Sequence, residues 1–545
     1  MASPIAALAL LVTTLALVGV VGVVTDPVEE EVATPEVPPE LQVGADAVSG
    51  RAVCAVGDAR AGTATEIDVV RPGVAGDAPA TAEVSSFGEG DAEPLATTRL
   101  FPGAASRTSV EGDEAEASEV RWAGGPVATL RHWRLGGEED LPAGTAAGPC
   151  VATTAATTWT IPGLTTEGGG EARLRIANPH GTGATVAVGF LTPEGPEDPT
   201  RLRNVSVGPW ETVELELNEY LPEQPDLAVV VEVASGRVAV EGVQLTRSAI
   251  GGVDGVSLLQ AATEPSQVWT VPWIIAGEGR SSWLWIANRT DRSAPVELSY
   301  HTADGGAVPE LLSEVSVPPN TVRRIDLADT LPEGQNGLAL TARSDGVPVT
   351  VSGTARIVAD DPADTGFAVQ LGAPASDRVW TVSGNGRPGR TEQLRLINPG
   401  SEPVRVDGTL WTGSQASQPP ELAGLEVAPG AQLTVPLGDL LQGAPSWSLT
   451  VRATSGDLVT ALVSSGDPDG PRHLVATTGA PSAWWTLPRP PTRRSAPGTA
   501  QRLGTELGIE PIDPLAPPDE GGAPEPPSED GAVDADATPP DPAEE

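Results

Sequence analysis

Arg173-Leu174-Arg175-Ile176-Ala177-Asn178-Pro179 returns as Trp283-Leu284-Trp285-Ile286-Ala287-Asn288-Arg289 and again as Gln393-Leu394-Arg395-Leu396-Ile397-Asn398-Pro399. Asn178, Asn288 and Asn398 stand 110 positions apart, as do Pro209, Pro319 and Pro429, and Gly236, Gly346 and Gly456. The period is therefore a whole domain. Its clearest copy holds seven short β-like segments separated by turn residues: 159–162, 172–177, 184–191, 202–207, 212–217, 227–234 and 237–245. Seven strands in about 110 residues is the size of an immunoglobulin-like or fibronectin-III-like sandwich, so the predicted class is all-β. Propeller blades repeat at about 40 to 50 residues, which argues against one blade per repeat.

The turn chemistry agrees with this reading. Each of Pro209, Pro319 and Pro429 lies between two alternating apolar runs, where a fixed φ helps start a hairpin. Gly236, Gly346 and Gly456 mark a second hairpin that calls for positive φ. The three asparagines end a strand, where Asn tolerates left-handed backbone and bonds locally, so they read as turn residues rather than ligands.

A degraded first copy precedes these three: Ile67-Asp68-Val69-Val70-Arg71-Pro72 matches Leu174 to Pro179, and Phe101-Pro102-Gly103 matches Gly208-Pro209-Trp210. Four bodies standing in line are expected. Trp-Thr recurs at Trp159, Trp269, Trp380 and Trp485, after every body, as though it closes a domain or bridges two neighbours. A rival phasing makes it the first strand of each body. Cys54 and Cys150, the two cysteines of the chain, stand near the two ends of the first copy. They are expected to form a disulfide, as an oxidising compartment allows. Closing a loop of that length contributes up to about 4.7 kcal/mol through chain entropy.

The N-terminus is apolar from Ile5 to Val24, long enough to cross about 30 Å of hydrocarbon as a helix. No small-x-small cleavage site directly follows, which favours a retained anchor over a cleaved signal. The organisation expected is an anchor or signal segment at 1–24 and an acidic Pro-rich linker at 25–50. Repeats follow at 51–158, 159–268, 269–379 and 380–488, then a disordered acidic tail at 489–545. With 74 acidic against 32 basic residues and no lysine, the chain carries a net charge of −42. That charge disfavours nucleic acid as a partner.

The pattern Trp-Thr-x-Pro, then Leu-x-[Ile/Leu]-x-Asn-Pro, then Val-x-Pro resembles the actinobacterial domain-of-unknown-function family 5719 over roughly Arg51 to Pro488. The resemblance implies an exported or membrane-anchored repeat protein and carries over no catalytic residue. Arg289, where Pro179 and Pro399 stand, and Ser383, where Pro162 and Pro272 stand, depart from the pattern. Both departures are expected to bear on turn geometry alone.

No catalytic constellation emerges. His132, His180, His301 and His473 fall at unrelated positions of different copies without metal-ligand spacing, and no nucleotide loop or cofactor motif is visible. No cofactor or metal and no enzymatic activity are expected. Trp283 and Trp285 stand out, because they alternate with Leu284 and Ile286 and so face the opposite side of the strand. They replace Arg173 and Arg175 of one copy and Gln393 and Arg395 of another. Either they are buried against a neighbouring body, with Trp273, or the three form a platform for a ligand or partner. The function expected is a non-enzymatic cell-envelope protein, single-pass in the membrane or secreted, that presents sandwiches outside it as a scaffold or interaction module. Its partner would be an envelope protein or a glycan. The alternative is a glycan-binding module whose exposed indoles stack on cell-wall sugars.

Overall fold

Leu174 and Ile176 turn from strand Glu171–Ala177 into the same fully buried core as Trp159 of strand Thr158–Leu164. The two-residue period of a strand with one face in a core puts them there. A computed structural model describes residues 49–482 except for short connecting segments, the longest being 56–62, 74–78, 111–116, 137–141, 248–252, 332–336 and 467–473. The apolar run Ile5–Val24, the linker up to residue 48, His473, Trp485 and the tail lie outside the described residues. Among the described residues no helix is long and apolar enough to cross a membrane.

Glu171–Ala177 is central in an antiparallel sheet ordered Thr212–Glu216, Glu171–Ala177, Ala239–Thr246, Gly255–Gln260. The facing sheet runs Thr158–Leu164, Leu227–Ser235, Ala184–Thr192, Gly195–Glu197. Two such sheets over one core form a β-sandwich. The plan recurs at 49–152, 268–373 and 379–481, each with its own core, so the described chain holds four sandwiches.

The Trp-Thr segment neither closes a domain nor bridges two. It is the first strand of its own sandwich, paired on one side with Leu227–Ser235 or its equivalent. On its other side it meets the last residues of the same sandwich: Thr160 bonds Ala262 in both directions, Thr270 bonds Ala373, and Thr381 pairs with Ala480. In the first sandwich Ser49–Cys54 plays this part and pairs with Val151–Ala152. The disulfide Cys54–Cys150 sits at that junction, its Cα atoms 4.7 Å apart.

Each sandwich ends in a strand buried almost throughout: Ala143–Pro149, Gly255–Gln260, Gly366–Leu371 and Leu474–Thr478. These four pack side by side around one axis, each against the next and the last against the first. The bodies therefore close a ring, which corrects the expectation that they stand in line. Each repeat of 110 residues contributes one four-stranded sheet whose last strand lies at the axis, and a second sheet that completes the sandwich. Gly148, Leu258, Gln260, Gln370 and Thr477 line an axial cavity of ≈ 10 Å³. That is room for about one water, so the axis is packed rather than open.

Candidate functional site between the second and third sandwiches

On each radiating sheet the central strand turns one face to its own core and the other to the preceding sandwich, with the first sandwich facing the fourth. The facing pairs are Glu66 and Asp68, Arg173 and Arg175, Trp283 and Trp285, and Gln393 and Arg395. Their chemistry differs at every interface.

Asp68 takes two 2.6 Å hydrogen bonds from Arg107 and lies 3.0 Å from His132 Nε2, which is 3.1 Å from Ser383 Oγ of the fourth sandwich. Burial pushes the Asp68 carboxyl up, but the hydrogen bonds and charges of Arg107 and His132 outweigh it and hold the group well below the usual carboxylate range. Arg173 and Arg175 both bind Glu214, while Glu241 on the same face takes a bidentate pair of 2.7 and 3.0 Å from Arg131 of the first sandwich. Both members of that last pair are fully buried. Arg395 donates to the Gly337 carbonyl of the third sandwich at 2.6 Å and to Thr434 Oγ1 at 2.7 Å, and burial lowers its pKa to about 10.

The two departures from the repeat pattern belong to these interfaces, a correction to their reading as turn geometry. Ser383 meets His132 across the seam between the fourth and first sandwiches, and Arg289 pairs with Glu232 of the second sandwich at 3.2 Å. Three histidines likewise bond across interfaces: His132 as above, His180 with Arg51 of the first sandwich at 3.0 Å, and His301 with the Gly430 carbonyl of the fourth at 2.8 Å. Among the described residues no group of three His, Cys, Asp or Glu side chains gathers to hold a metal ion.

Trp285 is 4% exposed and packs with Leu191 and Ala228 of the second sandwich; its indole N–H donates to Thr354 Oγ1 at 2.8 Å. Trp283 is half-buried beside it. Trp273 is elsewhere: 6% exposed, it packs against Val463, Leu474 and Ala476 of the fourth sandwich. The structure thus brings Trp283 and Trp285 together and separates Trp273 from them by placing it at the next interface of the ring.

Trp283 and Trp285 form one wall of a cleft of ≈ 520 Å³. The opposite wall is backbone-rich, with Gly163, Gly168 and Gly170 of the second sandwich. A Cβ at Gly163 would lie 3.2 Å from the Trp285 ring and 2.7 Å from Ser352 Oγ, so this close approach of the two sandwiches requires glycine, as does its φ of +100°. Arg247, Arg324 and Arg356 also line the cleft, and Phe367 of the third sandwich's axial strand contributes a further apolar surface. Arg324 lies 5.6 Å over the Trp285 ring and pairs with Asp226 at 3.2 Å; Arg247 lies 3.5 Å from Glu171. Arg356 Nε is buried with no hydrogen-bond partner among the described residues. Sequence reasoning singled out the indoles and missed these arginines. The available signal was Arg356 opposite Ser281, two residues before Trp283 on the neighbouring strand, but its pairing becomes visible only once the register is known.

A search of curated proteins finds no match. Among solved structures, Thermotoga maritima 1070 matches at 20% identity over 20% of this chain and 95% of its own, with a TM-score of 0.18. The native conformation of E. coli alpha-2-macroglobulin matches at 12% identity over 80% of this chain and 32% of its own, TM-score 0.10. A mutant of the major pilin from Streptococcus pyogenes matches at 11% identity over 59% and 98%, TM-score 0.12. At such TM-scores these likenesses carry no argument about this chain. The family of unknown function DUF5719 matches residues 105–379 and 372–489, well over half of the chain, starting partway into the first and most divergent sandwich. The chain belongs to that family, DUF5719.

Proposed function

We propose that this chain is a non-enzymatic protein of the cell envelope that presents its ring of immunoglobulin-like or fibronectin-III-like sandwiches outside the membrane as a rigid scaffold and interaction module. The observation that best supports this reading is where the buried ionic groups lie. Asp68 with Arg107 and His132, Arg131 with Glu241, and Arg395 with Gly337 each sit at an interface between sandwiches. Arg131–Glu241 is an ion pair that crosses from one sandwich to the next, and Arg107 and Arg395 reach backbone carbonyls of the neighbouring sandwich, so these contacts favour one relative orientation. The Cys54–Cys150 bridge suits an oxidising compartment, and the run Ile5–Val24 has the length of an anchor. Fractionating the native producer tests the reading: the chain is expected in the membrane fraction, open to protease on intact cells, and retained by purified cell wall or an envelope protein. A cytoplasmic chain, or one retained by neither, would sink it. Free mature chain starting near Asp26 in the medium would favour secretion over anchoring.

A second reading, a glycan-binding module, draws support from Trp283, because a half-buried indole on the wall of a cleft is a stacking surface for a sugar ring.

A further inference from the structure

We propose that the cleft between the second and third sandwiches binds a saccharide carrying a single carboxylate, its ring stacked on Trp283 and its carboxylate held by Arg356. The proposal rests on the glycan-binding reading and gives it a ligand class.

Size is the first argument. A cleft of ≈ 520 Å³ lies within the range of small-molecule sites, about 300 to 1,000 Å³, and suits one or two sugar rings. The second is the indole. Trp283 is half-buried, and its N–H has no partner among the described residues, so both a stacking face and a donor for a hydroxyl remain available. In the other three sandwiches the equivalent side chains, Glu66, Arg173 and Gln393, are already bonded to neighbours.

The third argument is charge. Arg324 and Arg247 each have a carboxylate neighbour, in Asp226 and Glu171. Arg356 has no ion-pair or hydrogen-bond partner among the described residues, and its Nε is buried. In a chain with 74 acidic and 32 basic residues, a guanidinium without a carboxylate beside a cleft is unusual. Burying a polar cationic group unpaired is costly, and a ligand carboxylate would supply the missing fork-to-fork hydrogen bonds. Glu167 at the rim and the net charge of −42 repel polyanions, so one carboxylate on an otherwise neutral sugar fits better than a phosphate-rich or nucleic-acid chain. The glycine wall allows the sugar to lie against backbone carbonyls and amides.

Titration of the purified full-length chain with a glucuronic-acid disaccharide and with its neutral glucose counterpart, read by tryptophan fluorescence and calorimetry, tests this. The acidic sugar is expected to bind at least about tenfold more tightly than the neutral one, the worth of one charge-assisted contact. Arg356→Gln should abolish that difference without lowering the melting temperature, since no partner is lost and an unpaired buried charge is removed. Trp283→Ala should weaken both sugars, and Trp283→Phe, which keeps an aromatic face in the same packing, should restore most of the binding. Absence of binding, equal affinity for the two sugars, or discrimination that survives Arg356→Gln would overturn the proposal. Equal affinity, or discrimination that survives Arg356→Gln, removes the carboxylate site and leaves glycan binding standing, whereas binding of neither sugar removes both; cell-wall retention reports on the envelope reading separately.

Discussion

Glu392 sits on the core side of strand Thr391–Ile397, 3% exposed, with Oε2 lacking a hydrogen-bond partner among the described residues. Burial raises its pKa to about 7 against the opposing charges of Arg390 and Arg107. The folded protein therefore holds this proton more tightly than the unfolded chain does. The stability it contributes is complete below the ordinary value of 4.5 and is lost as pH rises through about 7. At pH 8 the ionised, buried carboxylate costs on the order of 3 kcal/mol. Glu392→Gln is expected to stabilise the protein by up to that amount at pH 8 and to change little below pH 4.5, measured by denaturant unfolding across pH. Parallel wild-type and variant curves at every pH would show that no such proton is held. The recurring asparagines make a different point at the same scale. Their positions were legible in the sequence, but the reason was not: among the described non-glycine residues, positive φ occurs at Trp210, Glu223 and Asn320 and at none of these three. Asn178, Asn288 and Asn398 are fully buried, and each amide donates to the carbonyl four residues on and to two carbonyls on the loop 29 and 30 residues on. The left-handed residue is instead the one after each proline, with φ of 55° at Trp210, 52° at Asn320 and 68° at Gly430. That is the third position of a type II turn.

Gly144, Gly255 and Gly366 lie 111 positions apart at the start of three axial strands, where the next sandwich comes closest. A Cβ at Gly366 would be 2.3 Å from Leu474 Cβ, and one at Gly255 would be 3.0 Å from Phe367 Cβ. Neither obstacle is the free end of a flexible side chain, so the strands would have to separate. Gly366→Ala is expected to destabilise by about 1 to 3 kcal/mol, the usual cost of overpacking. Gly438→Ala, where nothing lies within 4 Å, should be neutral or slightly stabilising and serves as the control. Equal melting temperatures for the two variants would show that the axis is less tightly packed than described. The axial strands are also the elements that sequence reasoning did not find. In the second sandwich all seven expected segments contain strand residues, but Gly195–Glu197 and Gly255–Gln260 were passed over. Gly255–Gln260 is buried on both faces except at its last residue, so it offers no polar-apolar alternation to read. Missing that one strand per repeat hid the surface on which the bodies assemble, and with it the ring. The indole pair was legible for the complementary reason: Trp283 and Trp285 alternate with core residues, which fixes their face, but which sandwich they would meet depends on the closure.

Closure of the ring depends on a seam between its first and last sandwiches, where a small apolar cluster of Val70, Ala128 and Leu130 meets Ala480. Asp68 of the first sandwich orients Arg107, whose guanidinium reaches the carbonyls of Gly384 at 3.2 Å and Pro445 at 3.5 Å and the side chain of Asn385, all in the fourth. Asn385 returns a hydrogen bond to Glu66 at 3.2 Å, and the Trp411 ring occupies the space that a Cβ on Gly103 would need. The other three interfaces use indoles, arginines or backbone carbonyls in the equivalent positions. Each radiating face thus matches one neighbour and mismatches the rest, which opposes closure in a wrong order despite the internal repeat. Asp68→Asn keeps the shape of the side chain but leaves Arg107 and His132 facing a neutral amide. Removing one partner of a buried pair typically costs about 3 to 5 kcal/mol. The expected outcome is loss of hydrogen-exchange protection in Leu474–Thr478 and Ala143–Pro149, the two axial strands that meet at this seam, before it is lost in Gly255–Gln260 and Gly366–Leu371. Acid should act in the same direction. The depressed Asp68 carboxyl contributes stability that is present above its ordinary value of 3.8 and disappears as pH falls toward its lower folded value. Protection lost evenly around the axis, in the variant or in acid, would mean that the ring opens as one cooperative unit and that this seam is no weaker than the other three.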